Sequence, residues 1–185
     1  AIDLAFRAII NPGDEVILLQ PSYVAYTPGV ALAGGKVVNI ELKEDNEFKL
    51  TPELLEAAIT PKTKAILLNY PSNPTGGFMT REDYEKIVSI IKKHEIIVIT
   101  DEIYAELSYE QKFCSIAAFD EIKDQVILVS GYSKAYAMTG WRLGYVLANE
   151  VLTKAMNKIH QYVIMSAPTG AQYGAIEAMR HCDNE

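Results

Sequence analysis

Residues 126–149 read VILVSGYSKAYAMTGWRLGYVLAN and contain no aspartate or glutamate, in a chain whose formal net charge is -7. The only charged side chains in that stretch are Lys134 and Arg142. The β-branched, apolar run at 126–129 predicts a buried strand, which Ser130, Gly131 and Ser133 break before a second apolar run resumes at Leu143. Lys134 therefore stands just past the carboxyl end of a strand, the edge at which open α/β sheets bind ligands. Held among Tyr132, Tyr136 and Met138, its ammonium would lose hydration and its pKa would fall. A neutral amine is a nucleophile. Taken singly, a lysine is most often a surface charge and an arginine most often snorkels or pairs with a carboxylate, so the neighbouring residues decide the reading.

Two other apolar runs deliver polar side chains in the same way. Asp101 follows IIVIT, where a free carboxylate is costly unless a cation pairs with it. The same position also suits the N-cap of a following helix, and the residue alone leaves both readings open. Residues 69–73 follow AILL and end on Asn73, whose amide would serve equally as a turn former. With Lys134 these positions outline one pocket at the carboxyl ends of three strands.

The elements that must position these residues alternate along the chain. Helical spacing at 1–10, without an N-cap, precedes an Asn11-Pro-Gly-Asp turn, a strand at 15–19 and a helix at 26–33 that Gly34-Gly35 ends. A strand at 36–42, an exposed charged loop at 43–49 and a helix opened by Thr51-Pro52 follow. The next elements are a strand at 64–69, a Thr80-capped amphipathic helix to His94 and a strand at 96–100. A less regular stretch through Asp124 leads to the lysine strand, a strand at 143–147, a helix at 150–163 and a last helix from Pro168. This alternation predicts an α/β fold, a three-layer α/β/α sandwich on a mostly parallel sheet, in one domain over 1–185. Such a fold serves many functions.

Composition narrows the field. A chain of 185 residues, 49% hydrophobic and 22% charged, buries one ordinary globular core. Its acidic balance, without a cluster of Lys and Arg, argues against nucleic acid. No apolar run is long enough to cross a bilayer and the first residues lack a signal peptide's features, so the expectation is a cytoplasmic protein with no membrane partner. Cys114 and Cys182 have neither CxxC nor zinc-ligand spacing, so no metal is expected. His94, His160 and His181 all fall in predicted helices, as structural or exposed residues.

The segments SGYSK, AMTG and WRLGY, together with DEIY at 101–104 and SNPTG at 72–76, occur in the order of class I aminotransferases. The chain resembles the large domain of these pyridoxal-phosphate (PLP) enzymes of fold type I along essentially its whole length. The resemblance implies that Lys134 forms the internal aldimine with pyridoxal 5′-phosphate and later acts as general base and acid. It implies that Asp101 pairs with the pyridine nitrogen, that Tyr104 and Asn73 contact the ring hydroxyl oxygen, and that Tyr23, otherwise a simple core tyrosine, stacks on the ring. Arg142 matches the arginine on the phosphate, a task suited to its planar fork of donors. Some members carry Ser where this chain has Gly131, so Ser130 or Ser133 is expected to supply the phosphate hydroxyl.

The function implied is transfer of an amino group from an amino acid to a 2-oxo acid, by a homodimer. A carbon–sulfur β-lyase on the same fold, and a non-catalytic aminotransferase-like regulatory module, are the alternatives. By the same resemblance Asn73-Pro74 and Gln20-Pro21 are expected to be cis. Further phosphate donors are expected before Ala1 and a small domain after Glu185, so that residues 1–185 alone would bind the cofactor weakly and show negligible transamination.

Overall fold

The computed structural model describes residues 1–182. The last three residues of the expected 1–185 domain, Asp183 to Glu185, and the expected continuation past Glu185 lie outside them.

Six strands form one sheet in the order β2-β1-β3-β4-β5-β6. They are β1 (Glu15–Gln20), β2 (Lys36–Glu41), β3 (Thr63–Asn69), β4 (Ile97–Asp101), β5 (Val126–Gly131) and β6 (Gly144–Leu147). Every pairing is parallel except that of β5 with β6. The helices are α1 (Ile2–Ile9), α2 (Tyr26–Leu32), α3 (Pro52–Ala58), α4 (Arg81–Lys93), α5 (Glu150–Val163) and α6 (Thr169–His181). Sequence order reverses between β1 and β3, the kind of switch point at which a crevice opens above an α/β sheet.

Both faces of β1, β3 and β4 are covered, which is why these strands read as continuous apolar runs rather than alternating ones. Side-chain period two sorts each run onto its layers. Val16, Leu18, Ala65, Leu67, Ile99, Ile127 and Val129 pack with Phe6 of α1, Val30 of α2 and Met156 of α5. Ile17, Leu19, Ile66, Leu68, Val98 and Val126 pack on the other side with Leu55 of α3 and Tyr84, Ile87 and Ile91 of α4. A fully buried side chain of this size stabilises the fold by about 1.5–3 kcal/mol. The expected three-layer α/β/α sandwich is therefore what the chain adopts, and β4 carries consecutive residues to opposite layers.

The caps form where expected. Thr51 accepts the Leu54 N–H at the start of α3, and Thr80 and Asp83 make a reciprocal capping box on α4. The Asn73-Pro74 and Gln20-Pro21 bonds are cis, as is Tyr70-Pro71. Two expectations need correction. Ser130 and Gly131 do not break β5 but complete it, because their backbones pair with Tyr145 and Gly144 of β6. A Cβ on Gly131 would lie 2.9 Å from the Gly144 Cα, so the small residue marks a close strand crossing rather than a breaker. His94 caps the end of α4 through its backbone N–H to the Ile90 carbonyl instead of lying within the helix.

Candidate active site

Above the carboxyl ends of β1, β3, β4 and β5 lies a cavity of about 540 Å³. It is lined by Tyr23, Asn73, Asp101, Tyr104, Ser130, Ser133, Lys134 and Arg142, so all the residues singled out from the sequence face one space. Among the described residues no cluster of His, Cys, Asp and Glu has the geometry of a metal site.

The floor is built from β3 and β4. Asp101, the last residue of β4, is 7% exposed. Its Oδ2 accepts the Tyr26 hydroxyl at 2.8 Å and its Oδ1 accepts the Ile103 N–H at 3.2 Å. Burial pushes the carboxyl up from its ordinary value, while these two donors pull the other way. Tyr26 is itself raised, first by burial and then by the Asp101 charge, so its hydroxyl remains a donor. The N-cap reading of Asp101 holds only in part: it accepts a main-chain N–H two residues on, but the residue capping the short 3-10 turn Ala105–Leu107 is Tyr104.

Asn69, at the end of β3, ties the floor together. Its Nδ2 donates to the Asp101 carbonyl at 2.9 Å and its Oδ1 accepts the Asn73 N–H at 3.0 Å. That clamp orients the loop so that Asn73 Nδ2 reaches the Tyr104 hydroxyl at 3.4 Å. Two polar groups from different strands thus converge on one point of the cavity. Tyr23, reached from β1, is 47% exposed and meets Tyr26 edge-on with ring centroids 5.5 Å apart. It belongs to the cavity wall and not to the core.

The opposite wall is the loop from β5 to β6. Lys134 is exposed, and its Nζ lies 5.7 Å from the centroid of the Tyr104 ring. The expected burial among Tyr132, Tyr136 and Met138 is not found: Met138 is buried, but the lysine points across the cavity toward Tyr104. Arg142 adopts a left-handed backbone (φ 56°) and donates from Nη1 to the Thr139 carbonyl at 3.0 Å, while Thr139 Oγ1 donates to the Ser133 carbonyl at 2.8 Å. Ser130 Oγ donates to the Glu102 carbonyl at 3.4 Å. Gly131 lines a neighbouring cavity that Ser130 also borders, whereas Ser133 lines only the Lys134 side of the two.

Tyr26 and Asn69 were not read from the sequence as site residues. A signal for Tyr26 existed in its spacing of three residues from Tyr23, which places both rings on one side of a helical turn after β1. Asn69 gave none beyond its place at a strand's end. Of the histidines, His160 lines a separate cavity beside α5, and His181 Nε2 lies 3.4 Å from Glu177.

Chemically, the arrangement offers a buried carboxylate below, a pair of hydrogen-bonding groups on one side, and an amine and a guanidinium on the loop opposite. The chain matches a family model described as aminotransferase class I and II over residues 1–184. It is 51% identical over 181 residues to YugH of Bacillus subtilis, which carries an aminotransferase name, covering 98% of this chain and 47% of that protein. It is 43% identical over 180 residues to the aspartate aminotransferase of the same organism, covering 96% of this chain and 46% of the relative. The solved aromatic aminotransferase of Pyrococcus horikoshii OT3 superposes with a TM-score of 0.94 at 39% identity, over 97% of this chain and 48% of that one. The chain spans about half the length of the curated relatives it matches.

Proposed function

The chain belongs to the aminotransferase class I and II family, and from that premise we propose that the whole protein transfers an amino group from an amino acid to a 2-oxo acid with pyridoxal 5′-phosphate. Residues 1–185 are its cofactor-binding large domain, and we read the whole as a cytoplasmic homodimer. The observation that carries the proposal is Asp101, a carboxylate 7% exposed that faces a cavity also lined by Lys134 and Arg142. Its oxygens accept from two uncharged donors, the Tyr26 hydroxyl and the Ile103 N–H, and a cationic ring N–H is a charged complement that suits it.

The donor set fits the cofactor. When bound, pyridoxal phosphate supplies an electron sink for the pair released as a substrate's α-proton leaves. Asp101 would hold a proton on the pyridine nitrogen, and the Tyr26 hydroxyl and the Ile103 N–H favour its ionised form against the burial that raises its pKa. Asn73 Nδ2 and the Tyr104 hydroxyl, already within 3.4 Å of one another, hydrogen-bond the ring oxygen. Tyr23 covers one ring face. The Arg142 fork would bind the phosphate, with a hydroxyl from Ser130 or Ser133. Lys134 is the amine that holds the cofactor covalently. Its free Nζ would take the substrate's Cα proton and deliver it to the cofactor's C4′ carbon.

Borohydride reduction of the PLP-loaded, full-length protein followed by peptide mapping is expected to place the pyridoxyl group on Lys134, and attachment elsewhere overturns the assignment. A donor panel of aspartate, aromatic and acyl-diaminopimelate amino acids then identifies the substrate. Pyruvate and ammonia formed without an acceptor keto acid would replace transfer by β-elimination.

A further inference from the structure

Glu102 follows Asp101 and, by strand alternation, leaves the sheet on the opposite side, among the residues that pack on α3 and α4. It is 5% exposed. Its Oε1 accepts the Ser115 hydroxyl at 2.7 Å and the Thr100 hydroxyl at 3.1 Å. Ser115 in turn accepts the Ala117 N–H at 3.1 Å, capping the 3-10 turn Ile116–Ala118. The main chain of Glu102 is equally engaged. Its N–H donates to the Val129 carbonyl at 2.9 Å, and its carbonyl accepts the Ala105 N–H at 3.0 Å and the Ser130 hydroxyl at 3.4 Å. One residue thus joins β4, β5, the turn at 102–105 and the segment at 115–118.

We propose that Glu102 is a positioning residue, whose carboxyl group, by taking the Thr100 and Ser115 hydroxyls on the far face of the sheet, fixes the turn that carries Asp101 and Tyr104 into the cavity. The inference rests on the reading of that cavity as the cofactor site. Asp101 and Tyr104 stand on either side of Glu102 and Ile103, so a rotation of this peptide segment moves both side chains at once. Solvent does not compete for the anchor, because the carboxyl is buried. Burial first, then the neighbouring Asp101 charge, pushes its pKa up to about 7, opposed by the Ser115 and Thr100 bonds. Tyr84 of α4 also feels the Glu102 charge, although its own burial is the chief cause of its raised pKa.

In the full-length protein, Glu102→Gln keeps a carbonyl acceptor for both hydroxyls and is expected to bind PLP within about twofold of wild type, whereas Glu102→Met, of similar length without an acceptor, raises the cofactor Kd at least about tenfold. In the apoprotein, amide hydrogen exchange in the peptide at 101–105 is expected to speed up in the Met variant and remain unchanged in the Gln variant. Ser115→Ala, which removes one donor without altering Glu102, gives the same exchange signature with about a threefold rise in Kd. It carries the test alone if the Met variant fails to fold. Wild-type exchange and affinity in Glu102→Met or Ser115→Ala overturn the proposal. A Gln variant as impaired as the Met variant also overturns it, by assigning the effect to charge. Because exchange is read without cofactor, a protein that never binds PLP refutes the reading of the cavity while the exchange data still decide the role of Glu102.

Discussion

At the ends of β3 and β4 the cavity floor is a closed set of bonds, from Asn69 to Asp101 and Asn73, from Asn73 to Tyr104, and from Tyr26 to the buried Asp101 carboxylate. Across the cavity, Lys134 and Arg142 ride an exposed loop in which the arginine bonds to the Thr139 carbonyl and Thr139 bonds back to that of Ser133. The floor spans elements distant in sequence; Tyr26 and Asp101 lie 75 positions apart. The loop is held by its own turns. Such a difference separates a fixed dipolar surface, costly to desolvate and therefore assembled with the core, from cations that keep their hydration until a ligand arrives.

Removing the amine tests this contrast most severely. Lys134→Ala in the full-length protein is expected to lower transamination by about 10³-fold or more, as loss of a general base does, while unfolding free energy stays within about 0.5 kcal/mol of wild type. A matching loss of stability in urea titration would erase the distinction between loop and floor. Asp101→Asn is expected to slow turnover by about 10²-fold or more, which is several kcal/mol in barrier, with PLP still bound by absorbance. Near-native turnover would remove Asp101 from its assigned role.

Tyr26→Phe sharpens the contrast inside the floor. It removes a hydrogen bond to a charged group, a loss of about 1.5–3 kcal/mol. The sign is determined by the carboxyl: activity needs it ionised and is lost as pH falls through its folded pKa, which burial already raises. Without the Tyr26 donor that pKa rises further, so the acid limb of the kcat/KM profile moves to higher pH; an unmoved limb contradicts the coupling. Arg142→Lys keeps the charge and loses the fork, and is expected to weaken PLP binding by about fivefold to tenfold with the apoprotein's Tm unchanged.

Much of the sandwich was legible because buried parallel strands and amphipathic helices leave distinct patterns, and the polar residues just past each apolar run led directly to Asn73, Asp101 and Lys134. What escaped reading depends on contacts between distant segments. Tyr26 looked like the first turn of a helix, since its partner lies on another strand. In DEIY, only the residues facing the cavity drew notice, while Glu102 acts from behind the sheet. Lys134 was expected to be desolvated from its aromatic neighbours in sequence, but side chains adjacent along a loop diverge in space. Ser130 and Gly131 resembled breakers because small residues serve both turns and close strand crossings.

That crossing bears on the loop that forms one wall of the cavity. Gly131 precedes Lys134 and Gly144 follows Arg142, and the two glycines touch where the loop bearing both cations leaves and re-enters the sheet. Their contact works as a clasp: the two ends of the loop are held at backbone thickness, with no side chain between them. One methyl group at either glycine would press on the facing backbone, 2.9 Å away in each case, and spread the root of the loop that carries Lys134 and Arg142.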